Sequence, residues 1–177
     1  MKRHQPKHIY KDNQIYFITA HIQDDIFKLD QDSKKDKLLL KIYSFAWENG
    51  IELIAWVILE EHYHLLFKIP LECQLSKFIG DIHRGFTFET NRAYGQKGRR
   101  LWKNYWDWCI RDEMDYWRHF NYIHNNPIKH GIVREIKTLG SYRYSSFWHY
   151  LRKYGIKWLM DVMNAYPILD FTVKSDG

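Results

Sequence analysis

Apolar positions change their spacing several times along the chain, and each change marks an element. Ile15 to Ile22 (IYFITAHI) is β-branched and aromatic, the composition of a strand. From Asp30 to Glu48 a polar opening, DQDSKKDK, gives way to LLLKIYSFAW. The opening supplies N-cap candidates and the tail an apolar helix face, and Asn49-Gly50 ends the helix. Ile51 to Leu59 and His62 to Ile69 are two further strands joined at Glu60-Glu61. Glu accepts positive φ poorly, so the turn of this hairpin is expected to sit off by a residue or more. Leu75, Phe78, Ile79, Ile82 and Phe86 recur at helical spacing within Leu75 to Ala93, and YGQKGRR after it is a loop. Trp106 to Ile110 reads as a short strand. Glu113 to Asn125 then reads as a helix capped by Asp112 and closed by Pro127, because the residue before a proline avoids the helical region.

The resulting order, β-α-β-β-α-β-α, predicts an α+β fold: a ferredoxin-like antiparallel sheet under helices, with one appended helix. At 177 residues the chain is long enough for one domain and short for two. Residues 1–177 are therefore read as one unit, with a basic lead-in (1–14) and an aromatic, basic extension (138–177) that is helical in part.

Composition adds a partner class. Aromatic residues reach 18%, and 27 Lys+Arg stand against 21 Asp+Glu, a net charge of +6. Positive charge meets phosphates and flat rings stack on unpaired bases, although each trait alone also fits an ordinary surface or core. Cys73 and Cys109 lie far apart with no CxxC, which argues against a disulfide framework or a zinc ribbon and for a reducing compartment. The longest apolar segment, IELIAWVIL, is half a membrane span and contains Glu52. A cytoplasmic protein with no membrane contact is expected.

Chemistry enters with EEHYHLLFKI. Side chains alternate along a strand, so His62 and His64 share one side and Tyr63 takes the other. Two same-side imidazoles can share a metal ion, though spacing alone favours a pair of surface or hydrogen-bonded histidines. On the last helix Tyr116, Trp117, Phe120 and Ile123 group on one side and Asp115, Arg118, Tyr122 and Asn126 on the other, polar one. Tyr122 and Asn126 are four apart and lie side by side if the helix persists that far. Spacing alone leaves them a surface tyrosine and a C-cap.

HYHLLF on a hairpin strand, then LWKNYWDWCIRDEMDYWRHFNYIHNNPIKHGIV, then YRYSS, resembles the REP-associated tyrosine transposases, a branch of the single-tyrosine HUH transposases. The resemblance runs from IYFITAHI to YSSFWHY and is most specific in YIHNNPIKHGIV. It implies that His62 and His64 are the paired histidines of a metal site, that Asn126 completes it, and that Tyr122 is the nucleophile. The implied reaction is cleavage and transfer of single-stranded DNA, hairpin-forming and repetitive, through a 5′-phosphotyrosine. The implied cofactor is Mg²⁺ or Mn²⁺, the imidazoles suiting Mn²⁺ better. His119 and His124 flank the tyrosine as candidate bases. Arg3, Lys7, Lys11, Arg84, Arg99 and Arg100 are the cations expected to track the DNA backbone. Related enzymes include dimers that exchange the tyrosine helix and monomers that do not, so a homodimer stays open. Two residue choices depart from the family: Glu60-Glu61 where Pro-Asn is common, and bulky Tyr63 between the histidines. They keep open an alternative, a catalytically inactive single-strand-binding module of the same fold.

Overall fold

The computed structural model describes residues 14–23, 25–71 and 73–168. Its elements are β1 (Ile15–Ile22), α1 (Asp32–Glu48), β2 (Glu52–Ile58), β3 (His62–Lys68), α2 (Leu75–Ala93), β4 (Trp102–Cys109), α3 (Glu113–Lys129) and α4 (Phe147–Ala165), with a 3-10 turn at Ile136–Ser141. The strands form one sheet in the order β2-β3-β1-β4, every neighbouring pair antiparallel. This is the ferredoxin-like order.

Alternation along the strands builds two cores. Ile18 and Ala20 of β1, Trp56 and Ile58 of β2, and Tyr63, Leu65 and Phe67 of β3 pack against Leu38 and Ile42 of α1 and Phe78, Ile82 and Phe86 of α2. Phe17, Ala55, Val57 and Leu66 point the other way, onto Phe120 and Ile123 of α3 and Phe147 and Leu159 of α4. The sheet is thus covered by helices on both faces, one layer more than expected. β3 lies between the layers with every residue but Lys68 buried, which is why it reads as a nearly continuous apolar run.

The hairpin turn sits squarely at Glu60-Glu61, without the expected offset: the Leu59 N–H donates to the His62 carbonyl at 2.8 Å. β4 begins four residues earlier than Trp106, because Trp102 to Tyr105 gain their conformation from pairing with β1 and carry no clean alternation. The larger correction concerns Pro127. It does not close α3, which continues to Lys129. A proline inside a helix removes one N–H and crowds the carbonyl four residues back, a cost of about 3 kcal/mol. Here it falls in the last turn of a helix buried on both sides, and packing outweighs the local preference.

The extension after α3 is structured. Tyr144 to Ser146 run along the free edge of β2: Ile58 N–H donates to the Tyr144 carbonyl (2.8 Å), Ser146 N–H to the Trp56 carbonyl (2.9 Å), and Trp56 N–H to Ser146 Oγ (2.9 Å). This covers an edge that would otherwise present unpaired groups. α4 follows, kinked at Gly155, whose φ of +82° suits glycine. Among the described residues no helix is long and apolar enough to cross a membrane.

Candidate active site

On the sheet face toward α3, β1 presents Phe17, Thr19 and His21 and β3 presents His62 and His64, while Tyr63 enters the opposite core. Antiparallel register sets His21 against His62 and Thr19 against His64. The His21 and His62 rings stack with centroids 4.8 Å apart, and His62 and His64 meet edge to face at 5.0 Å. Thr19 Oγ1 lies 2.8 Å from His64 Nδ1, an arrangement that fixes the ring and leaves Nε2 as its other working nitrogen.

α3 crosses this patch. The expected grouping of Asp115, Arg118, Tyr122 and Asn126 on one side is correct, but that side faces the sheet, with Tyr122 and Asn126 buried and Asp115 and Arg118 half-buried. Tyr122 is 9% exposed and Asn126 1%. A polar helix stripe can be buried here because the strands beneath it carry imidazoles and a hydroxyl in place of aliphatics. The Tyr122 ring stands edge-on to His64 at 5.2 Å and to Phe17 at 5.9 Å, with Lys129 Nζ 5.3 Å from its centroid. One turn on, the Asn126 amide donates to the Tyr122 carbonyl at 2.7 Å. The structure therefore brings His62, His64, Tyr122 and Asn126 together.

Two buried atoms in this cluster lack hydrogen-bond partners: His64 Nε2 and Asn126 Oδ1. Orphaned buried polar atoms are uncommon and ask for a ligand or a role. Burial, followed by the charges of His21 and His130, holds His62 down at about 3, and burial pushes His64 well below its ordinary value; Asn126 opposes both shifts. Both imidazoles are neutral at physiological pH and keep lone pairs for coordination. Among the described residues no group of three His, Cys, Asp or Glu side chains is placed to hold a metal. A site here therefore needs the amide oxygen of Asn126, and two nitrogens with one oxygen suit a divalent ion such as Mn²⁺.

The remaining expectations separate by place. Arg99 and Arg100 sit beside Leu101, whose carbonyl accepts from Gln23 at the same sheet end as His21 and His62. Arg99 is engaged there, its Nε donating to Asn91 and its guanidinium over Phe27 and Tyr94. Arg84 lies on α2, in the opposite helix layer, paired with Asp81. Arg3, Lys7 and Lys11 lie outside the described residues. Neither candidate base stands out at the tyrosine. His124 is buried on the α4 side of the helix, 2.8 Å from Ser146 Oγ, and His119 is held by Asp115. Sequence reasoning missed Thr19, His21 and His130, the last with its ring 4.9 Å from His62. The only available signal was spacing: His130 is four residues beyond Asn126, visible once the helix is allowed past Pro127. Glu61 is paired with Lys28 at 2.9 Å, which offsets charge at the hairpin tip.

Comparison with known proteins gives a consistent answer. A family model described as "Transposase IS200 like" matches residues 26–126. A REP-associated tyrosine transposase of Escherichia coli (strain K12) is 33% identical over 119 residues, 65% of this chain and 67% of that protein. A Haemophilus influenzae protein provisionally given the same name is 32% identical over 147 residues, 75% of this chain and 79% of that one. A solved structure of a REP-associated tyrosine transposase bound to a REP hairpin superposes with a TM-score of 0.71 at 25% identity, covering 85% of this chain and 86% of that one. With the paired histidines, the buried tyrosine and the four-stranded sheet all in place, the chain belongs to the REP-associated tyrosine transposases, a branch of the single-tyrosine HUH transposases.

Proposed function

We propose that this transposase cuts and rejoins single-stranded, hairpin-forming DNA through a covalent bond to Tyr122. The observation that carries the reading is the packing of Tyr122 against His64, one helical turn from Asn126, with His64 Nε2 and Asn126 Oδ1 both unpartnered. The hairpin as substrate class is supported by the similar structure that holds one.

In this mechanism the Tyr122 oxygen attacks the scissile phosphorus. A P–O bond to tyrosine forms and the P–O3′ bond breaks. The phenol gives up its proton and the departing 3′-oxygen gains one, so charge and atoms balance. The 5′-phosphate remains on the enzyme, and a second 3′-hydroxyl reverses the step to join strands without ATP. His62, His64 and Asn126 would hold a divalent cation, which supplies Lewis-acid polarisation of the phosphate when bound. Thr19 fixes His64, and α3 holds Tyr122 and Asn126 at constant spacing, so orientation is paid for on folding. Lys129 adds positive charge beside the tyrosine.

The test uses hairpin strands labelled at either the 5′ or the 3′ end, incubated with the purified chain and Mn²⁺. The label downstream of the cut should travel with the protein in a denaturing gel. Tyr122→Phe should bind the strands as wild type does and form no adduct. An adduct that persists in Tyr122→Phe moves the nucleophile elsewhere; no adduct with wild type leaves a binding module.

A further inference from the structure

The helices cover the site face of the sheet unevenly. α3 and α4 pack over β2 and β3, where Phe120, Ile123, Phe147 and Leu159 close the second core. β4, the far edge strand, keeps two large rings in solvent: Trp106 is 59% exposed and Trp108 42%. Register places both on the site face. Trp106 lies opposite Thr19, which holds His64, and Trp108 lies opposite Phe17, which touches the Tyr122 ring. The uncovered strip is therefore one strand away from the residues of the site.

Its surroundings are cationic. The Arg111 guanidinium lies 4.2 Å from the centre of the Trp108 ring. Arg118 projects from the same side of α3 as Tyr122, one turn earlier, and its buried Nε has no hydrogen-bond partner. Trp108 is held in position, since its Nε1 donates to Asp115 at 2.9 Å, and the same carboxylate accepts from the Arg111 N–H at 3.1 Å. Arg111 lies over the Trp108 ring and His119 of α3 stacks with it at 6.3 Å, so Trp106, the more exposed of the two, is the open stacking surface and Trp108 forms its wall. Two same-side rings on alternate strand positions, flanked by arginines, match what an unpaired nucleic acid strand needs: a planar surface for a base and positive charge for the phosphates beside it. A duplex offers no free base faces.

We infer that Trp106 stacks a base of the single-stranded DNA beside the scissile phosphate, against the wall made by Trp108 and Arg111, with Arg118 contacting a phosphate of that segment. This rests on the single-strand reading above and adds a subsite to it. It assigns the uncovered half of the sheet to the strand and makes Trp106, Trp108 and Arg118 positioning residues, separate from the metal cluster.

Binding is measured by fluorescence anisotropy on a labelled hairpin with a single-stranded extension, in EDTA so that no cleavage occurs. Trp106→Ala should weaken binding by roughly 5- to 150-fold, the range for loss of one stacked base, and Trp106→Phe should recover part of it. Arg118→Gln should lower the log–log salt slope by about 0.7, one phosphate on a single strand. Affinity for a blunt duplex should not change in any variant. Trp108→Ala also loses the Asp115 contact, so Trp108→Phe is read beside it and circular dichroism confirms the fold. Unchanged affinity in Trp106→Ala would overturn the inference, even where wild type still forms its tyrosine adduct. Loss of self-association in sedimentation with unchanged strand binding would overturn it too, and would make the strip a contact between copies. If the variants lose affinity while wild type forms no adduct, the stacking platform stands and the cleavage reading fails.

Discussion

At the scale of single residues, Tyr63 shows how a bulky choice between the two histidines is accommodated. Its ring enters the core away from the site, and its hydroxyl lies 2.9 Å from His83 Nε2 on α2. His83 in turn stacks on Trp102 at 4.1 Å. Tyr63→Phe removes that partner from a buried ring nitrogen and should cost about 1–3 kcal/mol in urea unfolding, with tyrosine adduct formation retained. A variant as stable as wild type would mean that the Tyr63–His83 contact contributes little. The neighbouring histidines behave differently. His62→Ala and His64→Ala should each abolish calorimetric Mn²⁺ binding while keeping the fold, because the atoms they lose face the polar cluster. Unchanged affinity in both would place the metal elsewhere. Strand alternation and the four-residue helix repeat, both local rules, put His62 beside His64 and Tyr122 beside Asn126, but spacing alone left them surface groups and a cap, and it was the family resemblance that singled them out. Thr19, His21 and His130 were not legible, since each reaches the cluster through strand register or through a helix that a local rule would have stopped.

At the scale of elements, Pro127 marks where local preference lost. The rule that helices end before proline describes a chain with nothing else to satisfy it, whereas α3 has buried neighbours along Phe120, Tyr122, Ile123 and Asn126. β4 was half legible for the opposite reason: its polar, exposed residues carry no pattern, and its pairing with β1 supplies the order. The contact between α3 and the β2 edge makes a sharper test. Ser146 Oγ accepts the Trp56 N–H and lies 2.8 Å from His124 Nε2, so one hydroxyl joins strand, helix and extension. Ser146→Ala leaves two buried groups unmatched and should cost about 2–5 kcal/mol, more than a typical surface change, measured as a drop in unfolding free energy. A loss within about 0.5 kcal/mol would show that water takes the place of the hydroxyl.

At the scale of the whole molecule, the sheet order was legible from the sequence of elements, but coverage on both faces was not. The extension that supplies α4 shows no repeating pattern until it is seen against Phe120 and His124. Burial of histidines in both layers has a global effect. His62, His83 and His124 are each held down at about 3, and His64 well below its ordinary value, with burial the leading cause in all four. An unfolded chain protonates such groups near 6.5 and the folded one does so only far lower, so the unfolded state binds more protons between those limits. Stability should be level above about pH 6.5 and fall as the pH drops toward 3, by up to about 1.4 kcal/mol per pH unit for each group in that window. Melting temperatures followed from about pH 7.5 to about pH 4.5 check this. A flat profile would mean that the imidazoles are already charged when folded.

The short run from Tyr144 to Ser146 also has a place in time. Synthesis proceeds from the N-terminus, so His62 and His64 leave the ribosome first, Tyr122 and Asn126 follow, and the stretch that bonds Trp56, Ile58 and His124 emerges only afterwards. A nascent chain stopped before Tyr144 already contains the paired histidines and the tyrosine, but the β2 edge is open and His124 lacks its serine. The residues of the buried cluster are translated early, and the segment that closes the β2 edge and bonds His124 is translated late. Incomplete translation products are thereby left without the frame that holds the site.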